Sequence, residues 1–239
     1  MANDQLNTMG YTVIENVFSP AELDAIAHQI TRANSSRPAF RKTADVFAIR
    51  QFLKELPQLQ GLVFNLTLQS LVTEHAGPDF FVVKSIYFDK PENSNWFVAW
   101  HQDLTISVDK KIDLPGFGPW TTKQDQFAVQ PPLRYLENIV TVRIHLDDTD
   151  EHNGALRVIP GSHRKGIYRN TPDDATHPDA VSTKTTCRVK KGGVMFMHPL
   201  LRHASNRNTN GNRRRVIHIE LSSLDLPVGL AWAEKMSMG

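Results

Sequence analysis

The first third of the chain carries apolar residues at helical spacing. Ser19, Pro20 and Glu22 form a typical helix start, because serine caps, proline suits the first turn and glutamate completes a capping box. The apolar positions that follow share one helical face: Leu23, Ile26, Ala27 and Ile30. This pattern predicts a helix over residues 20–33. The same spacing predicts a second helix over 59–75, which Gly77 and Pro78 end.

From residue 80 onwards the pattern changes to short runs rich in Val, Ile and Phe, separated by turn residues. These runs predict strands at 80–88, 96–101, 139–146, 155–159, 194–198 and 214–221, in addition to an early strand at 11–17. Helices followed by strands indicate helices packed on one side of a β-barrel or sandwich. We expect one mainly β domain over 1–239, with supporting helices at about 19–76 and a β core at about 80–221.

Residues 109–132 break this alternation. Four prolines and two glycines are interleaved there with aromatic residues, among them Phe117 and Trp120. A long irregular segment with aromatics of the buried type is typical of a lid or binding loop, which makes Phe117 and Trp120 candidate substrate contacts. The alternative is a surface excursion held in place by aromatic anchors.

Composition and charge exclude several classes of protein. Lys and Arg number 27 against 25 Asp and Glu, a net charge of +2, and no basic face suggests a nucleic-acid partner. No apolar run approaches the roughly 18 residues needed to span a bilayer. The single cysteine, Cys187, cannot form an internal disulfide, and the N-terminus lacks the order of a signal peptide. We expect a soluble cytoplasmic protein of unspecified oligomeric state.

The candidate chemistry lies in the histidines, of which there are 10. Walker, Gly-x-Gly-x-x-Gly, His-Glu-x-x-His, Cys-x-x-Cys and Gly-x-Ser-x-Gly patterns are absent from the sequence. His101 and Asp103 end a predicted strand, and positions two apart on a strand share a face. Two histidines and one carboxylate are the ligand set of non-haem Fe(II) oxygenases. His145 and Asp147 have the same spacing, so spacing alone leaves both pairs open.

His203 is the best candidate for the third ligand, because it follows the predicted strand at 194–198 and precedes a polar turn. Arg214 lies eleven positions later, at the start of the next predicted strand. An arginine there can bind the far carboxylate of a dicarboxylate co-substrate in bidentate fashion.

Four segments in order resemble the phytanoyl-CoA dioxygenase family of Fe(II)/2-oxoglutarate oxygenases. They are Gly-Tyr-Thr-Val-Ile at 10–14 followed by Ser-Pro-Ala-Glu at 19–22, Trp-His-Gln-Asp-Leu at 100–104, the stretch 146–163 with Asn-Gly-Ala-Leu-Arg-Val-Ile-Pro-Gly-Ser-His at its end, and His-Ala-Ser at 203–205 with Arg214. The resemblance covers nearly the whole chain. It implies a double-stranded β-helix, also called a jelly roll, of the cupin-like type.

The resemblance also implies roles for particular residues. His101, Asp103 and His203 correspond to the iron ligands, and Arg214 to the residue that binds the C5 carboxylate of 2-oxoglutarate. Ser205 and Arg50 match positions that contact the same co-substrate. The cofactors would be Fe(II), 2-oxoglutarate and O2, and the reaction would be hydroxylation of an unactivated C–H bond in a small molecule, with release of succinate and CO2. An amino acid, a natural-product intermediate and an acyl derivative are all compatible substrates.

Strand alternation gives the remaining candidates. Val142, Ile144 and Leu146 share the face expected to pack on the helices, whereas Arg143, His145 and Asp147 share the face expected to point into the barrel. A buried arginine needs an anionic partner, so Arg143 is predicted to bind co-substrate or an acidic substrate, with a structural salt bridge as the alternative.

His218 shares a strand face with Arg214 and is a candidate substrate contact together with His145. Trp100 is expected to form a wall of the substrate pocket. Rival functions are a non-catalytic ligand-binding jelly roll, a zinc or manganese enzyme, and desaturation or cyclisation at the same iron site.

Overall fold

The computed structural model describes residues 2–33, 39–42, 47–92, 97–123, 126–168 and 183–238. Its helices are α1 (Ala2–Met9), α2 (Pro20–Thr31), α3 (Phe52–Glu55), α4 (Gln60–Val63), α5 (Leu66–His75) and α6 (Leu133–Asn138), with short 3-10 helices at Pro57–Leu59 and Ser162–Lys165. None of the helices in these described ranges is long and apolar enough to cross a membrane.

The strands form three antiparallel sheets. They are β1 (Tyr11–Ile14), β2 (Phe40–Lys42), β3 (Phe47–Arg50), β4 (Phe81–Lys90), β5 (Val98–His101), β6 (Ile106–Val108), β7 (Trp120–Lys123), β8 (Gln126–Val129), β9 (Val140–His145), β10 (Leu156–Val158), β11 (Thr185–Cys187), β12 (Val194–Met197), β13 (His203–Ser205) and β14 (Arg214–Ser222). The large sheet has the order β1-β12-β9-β14-β4-β3-β2, a second sheet the order β11-β10-β13-β5, and a third the order β6-β8-β7.

The large and the four-stranded sheets face each other with interleaved strands. Along the chain, β4, β9, β12 and β14 belong to the large sheet, while β5, β10, β11 and β13 belong to the other. This interleaving is the arrangement of a double-stranded β-helix, so the predicted fold class is confirmed. One cavity is lined by side chains from both sheets, including Arg143 on β9 and Ser205 on β13.

The helices cover the outer face of the large sheet. Ile26 of α2 and Leu68 of α5 belong to the same buried cluster as Val142, Ile144 and Ile217 of the sheet. These three strand residues lie on one face because strand side chains alternate. The predicted apolar face of β9 therefore packs on the helices, and the opposite face is free to line the cavity.

The start of α2 follows its sequence signals. The Ser19 hydroxyl accepts a hydrogen bond from the Glu22 backbone N–H, and the Glu22 carboxylate accepts one from the Ser19 backbone N–H. Pro20 occupies the first turn, and the helix ends at Thr31 with Arg32 as its C-cap, two residues before the predicted end. The N-terminal helix α1 was not predicted.

The prediction of one helix over 59–75 is wrong, because the helix breaks at Phe64 and Asn65. Phe64 has backbone angles of φ −96° and ψ 63°, outside the helical range. The Asn65 side chain caps α5 by accepting from the Leu68 N–H at 2.8 Å, and its amide donates to Val17 O and to the Glu22 carboxylate. The hydrogen bonds of the Asn65 side chain stabilise the start of α5, so a new helix begins there and the preceding one does not continue.

The segment 109–132 is more regular than predicted. Apart from residues 124 and 125, which lie outside the described residues, its second half folds into β7 and β8, which pair with β6 as the third sheet. The Phe117 ring lies 5.8 Å from that of Tyr135, and Trp120 packs against the second buried cluster with Phe117. Partial burial of these aromatics against residues of β4, β6, β8 and α6 holds the segment on the rest of the domain. Trp96, predicted to begin a strand, lies outside the described residues, and β5 begins at Val98.

Candidate metal centre

Two histidines and one aspartate converge where β5 ends and β13 begins. His203 is the register partner of His101 across these antiparallel strands, and Asp103 follows two residues after His101. Asp103 Oδ1 lies 3.8 Å from His101 Nε2, and Asp103 Oδ2 lies 3.6 Å from His203 Nε2. The backbone N–H of Asp103 donates to Pro199 O at 2.9 Å, which ties the aspartate to the turn before β13.

The hydrogen bonds of both rings point their second nitrogens at the aspartate. Nδ1 of His101 lies 2.8 Å from Ala99 O, and Nδ1 of His203 lies 2.8 Å from Leu201 O. A carbonyl oxygen only accepts, so each Nδ1 carries the proton and each Nε2 offers a lone pair. One ligand atom from each of the three residues lies within 4.8 Å of the others, a set that fits a divalent cation.

The protonation states also favour metal binding. Burial lowers the pKa of His203 to about 4, so its imidazole is neutral at pH 7. Burial alone would raise the pKa of the Asp103 carboxyl, but the neighbouring His203, His218, Lys84 and His101 side chains hold it below its usual range. A neutral imidazole and an ionised carboxylate are the forms that bind a metal.

The triad opens into a cavity of about 180 Å³ between the two facing sheets. The residues that line it are Phe88, Val98, His101, Asp103, Arg143, Leu156, His203, Ser205, Arg214 and His218. Three of these residues are apolar and seven are polar or charged, so several polar groups converge on one small cavity.

Arg214 differs from the arginines beside it in the sequence. Arg213 Nε donates to Asp89 Oδ1 at 2.8 Å, and Arg215 Nε donates to Asp147 Oδ2 at 2.8 Å. Arg214 points into the cavity instead, is 5% exposed, and its Nε and Nη1 have no hydrogen-bond partner among the described residues. Burial, followed by the charge of Arg143, lowers the pKa of Arg214 to about 9.

A chain of polar side chains runs along the large sheet beside the triad. Arg143 Nη1 lies 3.0 Å from His218 Nδ1, and His218 Nε2 lies 3.2 Å from Glu220 Oε1. Glu220 accepts from Lys84 Nζ at 2.7 Å. Arg143, His218 and Glu220 are all less than one-tenth exposed, so this chain belongs to the interior of the molecule.

The structure does not bring every predicted site residue to the cavity. Trp100 lies on the outer face of its sheet, with Arg157 and Lys184 over its ring, because it precedes His101 and points the other way. It is therefore not a wall of the pocket. Phe117 and Trp120 pack against a buried cluster that includes Val83, Ile106 and Leu136. Neither these three residues nor Arg50, at the end of β3, is among those lining the cavity.

His145 and Asp147, which have the same spacing as His101 and Asp103, do not meet at one site in the structure. His145 lies two positions after Arg143 on β9 and is buried. Its Nδ1 lies 2.8 Å from Thr149 Oγ1, and it does not line the cavity. Asp147, predicted to share its face, instead pairs with Arg215 after β9 has ended. The alternation stops where the strand stops, and this separates the two side chains.

Sequence reasoning missed five residues at the site, two of which, Val98 and Leu156, line the cavity. Phe88 also lines the cavity, and Lys84 and Glu220 are register partners across β4 and β14. Lys84 and Phe88 lie four positions apart on one strand and therefore share a face. Period-2 alternation along 80–88 was thus the sequence signal that could have placed both at the site.

The model of the phytanoyl-CoA dioxygenase (PhyH) family matches residues 6–216, most of the chain. The chain belongs to this family. It is a 2-oxoglutarate-dependent dioxygenase, and its cofactors are Fe(II), 2-oxoglutarate and O2.

Individual relatives are distant. An ectoine dioxygenase of Bordetella parapertussis is 25% identical over 244 residues, which cover 90% of this chain and 72% of the relative. The carbocyclase SnoK from nogalamycin biosynthesis has a similar structure, with a TM-score of 0.71, 19% identity and coverage of 94% of this chain and 83% of that one. EctD from S. alaskensis, solved with 2-oxoglutarate and 5-hydroxyectoine, has a TM-score of 0.67, 19% identity and coverage of 92% and 74%.

Proposed function

We propose that this dioxygenase hydroxylates an unactivated C–H bond of a small organic molecule, with His101, Asp103 and His203 binding Fe(II). The observation that carries the proposal is the convergence of three ligand atoms within 4.8 Å in a cavity that also holds a buried arginine without a hydrogen-bond partner among the described residues. Fe(II), 2-oxoglutarate and O2 supply the oxidising chemistry, which converts 2-oxoglutarate into succinate and CO2.

Arg214 and Ser205 bind the C5 carboxylate of 2-oxoglutarate in this proposal. Both line the cavity, Arg214 is 5% exposed and Ser205 is 3% exposed. Nε and Nη1 of Arg214 have no hydrogen-bond partner among the described residues, so this guanidinium is available to donate to a carboxylate. If the jelly roll bound only a metal, the buried charge of Arg214 would have no anionic ligand to pair with. This argues against a non-catalytic role.

The chain orients the reactants and excludes water from them. The Nδ1 hydrogen bonds of both histidines fix their rings, and Asp103 keeps a carboxylate beside both Nε2 atoms. Phe88, Val98 and Leu156 supply apolar walls around the polar groups. Exclusion of water from such a site protects a reactive oxidant from side reactions with solvent.

Cyclisation or desaturation is the second candidate outcome. Both begin, like hydroxylation, with removal of a hydrogen from the substrate, and the structurally similar SnoK is a carbocyclase. We further propose that residues 1–239 act as one domain, in the cytoplasm, on a small-molecule substrate. The buried free Cys187 is compatible with a reducing compartment.

Substrate-stimulated release of succinate tests the proposed function. Purified protein with Fe(II), 2-oxoglutarate and O2 is screened against small metabolites, and an oxygenated product is sought by mass spectrometry for each compound that raises succinate. Asp103→Ala is the matched inactive variant. A mass gain of one oxygen supports hydroxylation, a loss of two hydrogens supports cyclisation or desaturation, and absence of 2-oxoglutarate consumption by the wild type contradicts the proposal.

A further inference from the structure

Arg143 lies on β9, where it is the register partner of His218 on β14. It is 8% exposed and lines the cavity. The charge of Asp103 raises the pKa of Arg143, against the lowering by burial. The charge of Arg143 in turn adds to burial in lowering the pKa of Arg214. Arg143 therefore shares one cavity with the three candidate iron ligands and with Arg214.

The partners of Arg143 leave its charge unbalanced. An arginine only donates, so His218 Nδ1 accepts the bond from Arg143 Nη1, and the proton of the neutral ring is on Nε2, which donates to Glu220. Glu220 is already paired with Lys84 at 2.7 Å. Arg143 thus has a neutral partner on Nη1, and its Nε has no hydrogen-bond partner among the described residues.

Charge balance shows what is missing from the loaded site. Fe(II) and the doubly charged 2-oxoglutarate cancel each other, Lys84 and Glu220 cancel each other, and Asp103 cancels one of the two arginines. One positive charge remains in an interior where an uncompensated charge is expensive. With Arg214 alone the same set would be neutral, so the excess comes from Arg143.

We propose that Arg143 binds a carboxylate of the organic substrate, so that the substrate of this enzyme is a small carboxylic acid. This inference rests on the proposed function, because the charge balance assumes bound Fe(II) and 2-oxoglutarate. A carboxylate brings the single negative charge that is needed. A phosphate monoester carries about two negative charges at pH 7 and would overcompensate. A neutral substrate would leave Arg143 unpaired.

Arg143 has one rival role, which is to share the C5 carboxylate of 2-oxoglutarate with Arg214. The two roles differ in what happens when Arg143 is replaced. If Arg143 binds the substrate, its replacement leaves the affinity for 2-oxoglutarate within about threefold of the wild type. If Arg143 shares the co-substrate carboxylate, its replacement lowers that affinity by more than about tenfold, as expected for a lost charge-assisted hydrogen bond.

The test uses acetate as the carboxylate probe and acetamide as its uncharged counterpart. Anaerobic protein loaded with Fe(II) and 2-oxoglutarate is titrated with each, and broadening of the probe's methyl proton resonance by the paramagnetic iron is recorded. We expect broadening with acetate and not with acetamide. Arg143→Gln should abolish it and keep 2-oxoglutarate binding. Arg213→Gln, which alters an arginine on the opposite strand face, should leave it unchanged.

Three results would overturn the inference. They are equal effects of acetate and acetamide on the wild type, undiminished acetate broadening in Arg143→Gln, and a loss of 2-oxoglutarate affinity in that variant as large as in Arg214→Gln. Equal effects of the two probes on the wild type would overturn the inference even if Arg143→Gln does not fold. Failure of the wild type to bind Fe(II) and 2-oxoglutarate would instead remove the proposed function, and the inference with it.

Discussion

His203 and His101 face each other across two antiparallel strands, with their ring centroids 4.1 Å apart. Each ring is fixed by a hydrogen bond from Nδ1 to a backbone carbonyl two residues earlier in the chain, at 2.8 Å. The geometry of the site is therefore set by strand pairing and by backbone acceptors. Such a site is largely organised before a metal binds.

The two neighbouring arginines give a matched prediction about 2-oxoglutarate. Arg214→Gln should weaken its binding by about 1.5–3 kcal/mol, the scale of a charge-assisted hydrogen bond, because the buried Arg214 has free donors in the cavity. Arg213→Gln should change it little, because Arg213 pairs with Asp89 outside the cavity. Isothermal titration of 2-oxoglutarate into anaerobic Fe(II) protein measures both. Equal losses would refute the assignment of the strand faces.

A second prediction concerns the stability of the fold in acid. Burial, followed by the neighbouring His163, lowers the pKa of His198 from 6.5 to about 4. Between these two values the unfolded chain binds more protons than the folded one, so stability falls as the pH falls from 6.5 towards 4. Between pH 6.5 and 5 the wild type should lose about 1–2 kcal/mol more than His198→Gln. Urea unfolding at both pH values checks this, and parallel losses would contradict it.

Two glycines should respond oppositely to alanine. Gly192 has a φ of +85°, and an added Cβ would lie 2.4 Å from Phe18 O, whereas at Gly61 in α4 no atom lies within 4 Å. Gly192→Ala should cost more than about 2 kcal/mol of stability through strain and steric overlap. Gly61→Ala should be neutral or stabilise by up to about 1 kcal/mol, because alanine favours helix. Thermal unfolding of the two variants side by side is the measurement, and a similar change in both would be the contrary result.

The pair of Lys84 and Glu220 provides a test of the buried polar chain. Glu220→Gln should destabilise the protein by about 1–3 kcal/mol, because it leaves the partly buried Lys84 ammonium without the carboxylate that it pairs with. The double variant Lys84→Met with Glu220→Leu should be less destabilised than Glu220→Gln, since no charge is then left unpaired. Urea unfolding gives both values. A double variant that is weaker than the single one would show that the pair contributes more than charge balance.

Local patterns predicted the parts of the fold that depend on near neighbours. Ser19 and Glu22 defined a helix start, and alternation along β9 separated Val142 from Arg143. The spacing of His101 and Asp103 indicated a shared ligand site before any family resemblance was considered. Each of these features depends on residues a few positions apart.

Long-range pairing was beyond the reach of such patterns. The register that sets His203 opposite His101, and Lys84 opposite Glu220, joins residues more than a hundred positions apart. Prolines flank the hairpin of β7 and β8, so its sequence resembles a loop. In the structure Trp120 pairs with Val129 across the two strands. Asn65 broke a predicted helix because its amide reaches Val17 and Glu22. Tertiary contacts decide all three.

The central claim is that Asp103, with His101 and His203, binds the iron to which 2-oxoglutarate is bound. The most direct measurement is the metal-to-2-oxoglutarate charge-transfer absorption of the anaerobic protein with Fe(II). We expect the band in the wild type and in Asp147→Ala, whose carboxylate pairs with Arg215 instead, and we expect its loss in Asp103→Ala and His203→Ala. A band that survives in Asp103→Ala and His203→Ala but disappears in Asp147→Ala would contradict the claim.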